Sequence, residues 1–398
     1  MNRKIFVSLF LATLVAMLGL GVIDPILPRY AKSAGASGIE IGVIFAGFAL
    51  SRGLFAPIIG ELSDRRGRKK LMVGGLVLSA AASIAFVFAT SVLPLILLRI
   101  LQGFATVLVT PVAQAYVGDL TPVGREGEML NLFYISLFTG AALGPGLGGY
   151  LNDRFSIAAP FYAMAALSLL ALLLILVLVP ESSAREHRVE ARRGEAAPSI
   201  LRSLAPVFRD RPMLGIMAYM SSRGFYRWGF NTFFPLLAVR AAGMSLTQVG
   251  LVLSLYMLTG SVIQYPFGLL VDRHPRWKVG LIVVGGGVSA LAMCAVAAGR
   301  SLVVYVVLAL TMGIASAVSR ASAVAIRTER GRIHGMGATT GAFTTSFSLG
   351  QVLGPIAFGI VADVASIPAA FVVGGVVGLV GTVGGAVLLK PSLSARTA

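Results

Sequence analysis

The chain has 398 residues, 57% hydrophobic and 12% charged, with a mean hydropathy of +0.87. Soluble domains carry roughly twice that charged fraction, and the apolar runs reach about twenty residues, the length a bilayer-crossing helix needs. That excludes a soluble enzyme, and the net charge of +17 follows the predicted spans as a topology signal, not as a footprint for nucleic acid.

Met1-Asn2-Arg3-Lys4 and the apolar run after it resemble a secretory leader. The run continues past Gly21 to Pro28 with no small-x-small cleavage site, so it is expected to stay as the first helix. Six spans follow one another at roughly 5–28, 39–61, 71–90, 92–117, 127–150 and 157–179. Pro180-Glu181-Ser182-Ser183 then opens a polar stretch to about Arg211. Six more spans are expected at roughly 212–238, 246–270, 278–298, 301–326, 334–362 and 367–389. The expected architecture is all-α and integral to the membrane: 12 transmembrane helices in two pseudo-symmetric six-helix bundles. Residues 1–180 form the N-terminal bundle, 181–211 a cytoplasmic linker and 212–398 the C-terminal bundle.

Of the 33 Lys and Arg, Arg29, Lys32, Arg154, Arg240 and Arg300 fall on one side of these spans. Arg52, Arg99, Arg223, Arg227 and Arg320 lie within them, and all the others fall on the opposite side. The positive-inside bias therefore predicts a multi-pass protein of the cytoplasmic (inner) membrane with both termini in the cytoplasm.

Between the second and third spans lies Gly60-Glu61-Leu62-Ser63-Asp64-Arg65-Arg66-Gly67-Arg68-Lys69-Lys70, rich in charge between apolar runs. A second copy runs from Gly268 to Lys278, in which Gly60, Asp64, Arg65, Arg68 and Lys70 map onto Gly268, Asp272, Arg273, Arg276 and Lys278. Gly140, Gly144, Pro145, Gly149 and Asp153 recur as Gly350, Gly354, Pro355, Gly359 and Asp363. Two six-helix halves of like topology are a transporter architecture, with the substrate site expected between them near the membrane midplane.

Gly60 to Met72 resembles the loop between helices 2 and 3 of the major facilitator superfamily. Leu18-Gly19 with Pro25 and Pro28, Arg99-Ile100-Leu101-Gln102-Gly103, and the run Gly140 to Gly149 resemble first-, fourth- and fifth-helix motifs of its twelve-helix drug:proton antiporters, the group of the tetracycline exporters. The resemblance covers the whole chain and implies alternating access, a proton gradient in place of any cofactor, and a role in proton transfer for Arg99. One departure stands out: Pro275 replaces the second glycine of the repeated loop.

Within that frame the charged loop reads as a gate or as a simple topology anchor. Gly60 allows close helix approach, Gly67 a tight turn, and Asp64 can accept from Arg68 and cap a neighbouring helix. Gly60, Asp64, Arg65, Gly67 and Arg68 are gating candidates, with Asp272 and Arg273 in the second copy. Gly140, Gly144, Pro145 and Gly149 are conformational candidates because small residues one turn apart let helices pack backbone to backbone. The Gly-x-Gly-x-x-Gly within this run has no preceding strand and is not a dinucleotide loop.

Ionisable groups within a bilayer are costly and mark function by default. Asp24, before Pro25, reads as a proton-coupling or cation-binding group, or as an outer-end charge that pairs with Arg29 or caps a broken helix. Arg99 reads as a proton-coupling partner or as a donor to backbone carbonyls, and Asp64 completes the coupling candidates. Arg223, Arg227 and Asn231 share one helical face, and the planar guanidinium fork suits an anionic group. With Arg52, Gln114, Tyr226 and Gln264 they form the expected substrate-binding set. Aromatic residues around that stripe read either as cavity lining or as lipid-facing.

No cofactor and no metal are expected: His187, His274 and His334 are far apart, and Cys294 is the sole cysteine. The expected function is proton-coupled export of a small amphipathic organic compound by a monomer in the lipid bilayer. An arginine-lined cavity would favour neutral, zwitterionic or anionic substrates. Organic-anion import or exchange and lipid or lysolipid flipping are the alternatives.

Overall fold

The computed structural model describes residues 3–121, 126–181 and 200–389. Its long elements are α1 (Arg3–Val22), α2 (Leu27–Ser33), α3 (Gly38–Arg66), α4 (Arg68–Val87), α5 (Val92–Leu120), α6 (Glu126–Arg154) and α7 (Ala159–Leu178). After them come α8 (Ile200–Arg209), α9 (Arg211–Ala242), α10 (Leu246–Arg273), a 3₁₀ turn (Pro275–Trp277), α11 (Lys278–Val296), α12 (Leu302–His334), α13 (Met336–Val364) and α14 (Ile367–Leu389). No strand occurs among the described residues. Taking α1 and α2 as one broken span, 11 spans are long and apolar enough to cross a membrane. The twelfth is α9, equally long and more polar because it carries Arg223 and Arg227. The protein is a multi-pass membrane protein, and side chains such as Leu54, Val177, Val262 and Val303 point outward where hydrocarbon would cover them.

Local chemistry sets the ends of these helices. The one-residue turns at Gly67 and Gly335 adopt φ of 96° and 93°, a region that side chains with a Cβ avoid. Ser37 and Glu40 form a capping box at the start of α3: the Ser37 N–H donates to Glu40 Oε2 (2.7 Å), and the Glu40 N–H to Ser37 Oγ (3.2 Å). Ser245 and Gln248 repeat it at the start of α10. The first predicted span proves discontinuous. It stops at Val22 and resumes at Leu27, leaving Asp24 and Pro25 in the break. A proline ring cannot continue the helical hydrogen-bond ladder there. Pro235, its counterpart in α9, sits inside an unbroken helix. Of the predicted linker at 181–211, residues 182–199 lie outside the described residues, and Ile200–Arg209 is helical.

The chain divides into two compact units. One comprises residues 1–36, 47–196 and 245–254, the other residues 37–46, 197–244 and 255–398. Each repeats the same internal packing. In the first unit α1 lies along α6 and α7, and α4 along α5 and α7; in the second, α9 lies along α13 and α14, and α11 along α12 and α14. Phe6, Leu9, Met72, Tyr116 and Phe133 anchor the first core. Ile216, Tyr219, Ile282 and Phe343 anchor the second.

Candidate functional site

Helix α5 delivers Arg99 into the first unit with 2% of its surface exposed. Its Nη2 lies 3.8 Å from Asp24 Oδ1 in the break after α1, and its Nη1 donates to Gln102 Oε1 (2.8 Å). The Phe48 ring takes the Arg99 guanidinium at 5.3 Å from its centroid and that of Arg52, one turn further along α3, at 5.6 Å. One carboxylate, two guanidiniums and an aromatic face thus meet within a single unit. A charge taken from water needs such partners to be tolerable.

The second unit holds its buried cations differently. Arg223, 4% exposed, donates through Nε and Nη2 to Ser316 Oγ (3.1 and 2.7 Å) and lies over the Phe347 ring. Arg227 is half-buried one turn on, its guanidinium 5.9 Å from the Tyr256 ring centroid. Neither contacts a carboxylate among the described residues. A further turn on, Asn231 is 3% exposed and its Oδ1 accepts no hydrogen bond. This helical face therefore presents two uncompensated cations and an unsatisfied amide.

At the junction of α3 and α4, Arg68 donates through Nε to Asp119 Oδ2 (2.5 Å) and through Nη2 to Asp64 Oδ1 (3.2 Å). In the second unit Lys278 pairs with Glu329 alone among the described residues. Both pairs join residues 51 positions apart.

Two carboxylates cap helix starts. Asp153 accepts from the N–H groups of Leu246 (3.3 Å) and Thr247 (2.7 Å) and from Thr247 Oγ1 (2.7 Å). Asp363 accepts from the N–H groups of Gly38 (2.7 Å) and Ile39 (2.9 Å). Each ends the helix that carries the repeated glycine run and meets the positive end of a helix dipole.

The sequence model of the Major Facilitator Superfamily matches residues 9–245 and again 216–397. The chain belongs to the major facilitator superfamily. Among its relatives, an uncharacterized MFS-type transporter of Methanocaldococcus jannaschii is 27% identical over 371 residues, 92% of this chain and 93% of that protein. Multidrug resistance protein 2 of Bacillus subtilis is 28% identical over 278 residues, 68% of each chain. The crystal structure of the nucleoside transporter NupG shares the fold, with a TM-score of 0.81 at 14% identity over 98% of this chain and 100% of that one. As a major facilitator protein the chain is a transporter of small molecules and not an enzyme.

The structure gathers some of the residues expected from the sequence and separates others. Asp24 and Arg99 meet, and Asp24 pairs with Arg99 in place of Arg29. Asp64 stands apart from them with Arg68 and Asp119. Arg65 forms an exposed one-turn pair with Glu61, and such pairs contribute little. At the start of α4 the Lys69 N–H donates to Glu181 Oε1 (3.1 Å). Gly60 also departs from expectation, since a Cβ added there meets nothing within 4 Å. Gly67 alone keeps the turn role, with its positive φ.

Gly140 and Gly144 meet the α1 backbone at Leu14 and Gly21, and Gly149 meets that of Leu246. Pro145 lies inside the continuous α6, its carbonyl against Gly250. Up to Asp272 the repeat keeps the register its charges suggested, and it shifts only in the turn, where residues 274–277 stand in place of Gly67 alone. Arg68 and Lys278 each begin the helix after the turn, so Lys278, not Arg276, is the counterpart of Arg68. Asp272 and Arg273 are exposed and form no ion pair among the described residues. Tyr226, Phe230, Phe233 and Phe234 are buried and do not face lipid, with Phe230 against Tyr256 and Phe234 against Tyr305. Gln114 is half-buried without a hydrogen bond among the described residues, and Gln264 lines a cavity.

Sequence reasoning missed Asp119, Glu329, Ser316 and Phe48. The two acids carried a signal, since each follows its basic partner by the same number of positions in both repeats. Ser316 and Phe48 carried none.

Proposed function

We propose that this transporter exports a small amphipathic organic compound by alternating access in exchange for protons, and that the compound is neutral, zwitterionic or anionic. The observation that carries this reading is the α9 stripe: Arg223 and Arg227, one turn apart, have no carboxylate partner among the described residues. Uncompensated cations inside a membrane protein are costly, and an anionic group on the solute offsets that cost during each cycle. A relative named for multidrug resistance supports export over uptake. The Asp24–Arg99 pair is the proton-coupling centre, because protonating Asp24 releases Arg99 to other partners. The basic side of the spans faces the cytoplasm of the cell that carries the protein in its inner membrane, and a single chain suffices for transport.

Proteoliposomes with an imposed proton gradient test this reading with matched anionic, zwitterionic and cationic compounds. Anion or zwitterion flux is expected to depend on the gradient and to fall at least about tenfold in R223A/R227A, the loss of one charge-assisted contact. Efflux confined to cations and unchanged in that variant overturns it.

A further inference from the structure

The end of the second unit where α10, the Pro275–Trp277 turn, α11 and α12 meet forms a half-open cavity of about 550 Å³, within the range of small-molecule sites. Gln264, Gly268 and Asp272 line it at four-residue spacing along one face of α10. Gly268 adds no bulk to this wall, since a Cβ there meets nothing within 4 Å. Across the cavity, α12 contributes apolar Ala321, Val324 and Ala325 and, towards its end, Arg332.

Two of these groups are charged and uncommitted. Lys278 and Glu329, also in the lining, neutralise each other. Asp272 and Arg332 have neither an ion pair nor a hydrogen bond among the described residues. The first unit treats the same position differently. There Asp64 is held by Arg68, whose fork also reaches Asp119, so the acid at that turn is neutralised within the protein. A lysine in place of the arginine has one ammonium and no fork; it stays with Glu329, and Asp272 remains open to solvent. The register of the repeat also replaces Ala56 with Gln264, adding an amide to the wall. One half closes its charges on themselves, while the other leaves an acid and a base around an apolar-floored cavity.

We propose that this cavity binds a zwitterionic small molecule, with its cationic group on Asp272, its anionic group on Arg332 and its apolar body along Ala321, Val324 and Ala325. The site is separate from the α9 stripe, and the inference stands whether or not Arg223 and Arg227 hold the transported compound.

Trp277 supplies the readout, lying between the cavity-lining residues Pro275 and Lys278. The chain has 2 tryptophans, so W228F leaves Trp277 as the only tryptophan in the purified full-length protein, and selective tryptophan excitation reads it alone. Phenylalanine, phenethylammonium and 3-phenylpropionate present one apolar body as zwitterion, cation and anion. Phenylalanine is expected to change Trp277 emission saturably and to bind at least about tenfold more tightly than either single-charge probe, one charge-assisted contact being worth that factor. D272N and R332Q are each expected to weaken phenylalanine by about tenfold, and both side chains are exposed, so neither substitution threatens the fold. R223A/R227A is expected to leave the titration unchanged. The proposal is overturned by equal binding of the three probes, by no saturable response, by a phenylalanine titration that either D272N or R332Q leaves untouched, or by a response lost in R223A/R227A.

Discussion

Asp24 and Arg99 show how much a single tertiary contact decides. Their residue types marked each as costly in a bilayer, and only the break between α1 and α2 brings them to 3.8 Å. Removing one member of a buried pair leaves the other charge uncompensated, at about 3–5 kcal/mol. D24N is therefore expected to lower thermal stability in detergent markedly, and D24N/R99Q to recover much of the loss, both read from the unfolding midpoint. Additive losses in that double-mutant cycle would show that the two side chains do not interact. The same residues bear on coupling: D24N is expected to abolish proton-driven transport while leaving downhill exchange of the solute.

At the scale of elements, the glycines separate into two kinds that look alike in sequence. Gly144 lies where α6 crosses α1, and a Cβ there meets backbone atoms of Gly21 and Leu18 at 2.5–2.6 Å. Gly60 lies inside α3 with open space before it. G144A is expected to force the two helices apart and to lose both stability and transport. G60A removes a poor helix former and is expected to raise stability by up to about 1 kcal/mol. Thermal unfolding of the two variants side by side checks the pair; equal destabilisation would refute the contrast. The sequence flagged Gly60 through the repeated charged loop and Gly144 through the spacing of small residues, and neither signal reports whether anything packs against the position.

At the scale of the whole molecule, two copies of one plan have diverged in their chemistry. The turn after α3 joins Asp64, Arg68 and Asp119 through one guanidinium fork, whereas the turn after α10 joins Lys278 with Glu329 alone among the described residues. An ammonium cannot hold two carboxylates in the planar geometry a guanidinium offers. R68K is accordingly expected to slow transport and lower stability by about 1.5–3 kcal/mol, the worth of a hydrogen bond to a charged group. K278R is expected to be tolerated, since one acid needs one cation. Transport rates and unfolding midpoints of the two variants test the asymmetry, and a matching loss in both would remove it.

The apolar runs, the one-sided basic residues and the internal repeat determined by themselves that the chain is a twelve-helix transporter in two like halves. Helix length and burial follow from composition summed over about twenty residues, and such sums survive local error. Which charges meet was decided by the tertiary structure alone: Arg99 with Asp24, Arg68 with Asp119, Arg223 with a serine hydroxyl. Those pairings depend on ångström-scale placement of side chains from segments far apart in the chain, and residue type and spacing carry no record of it.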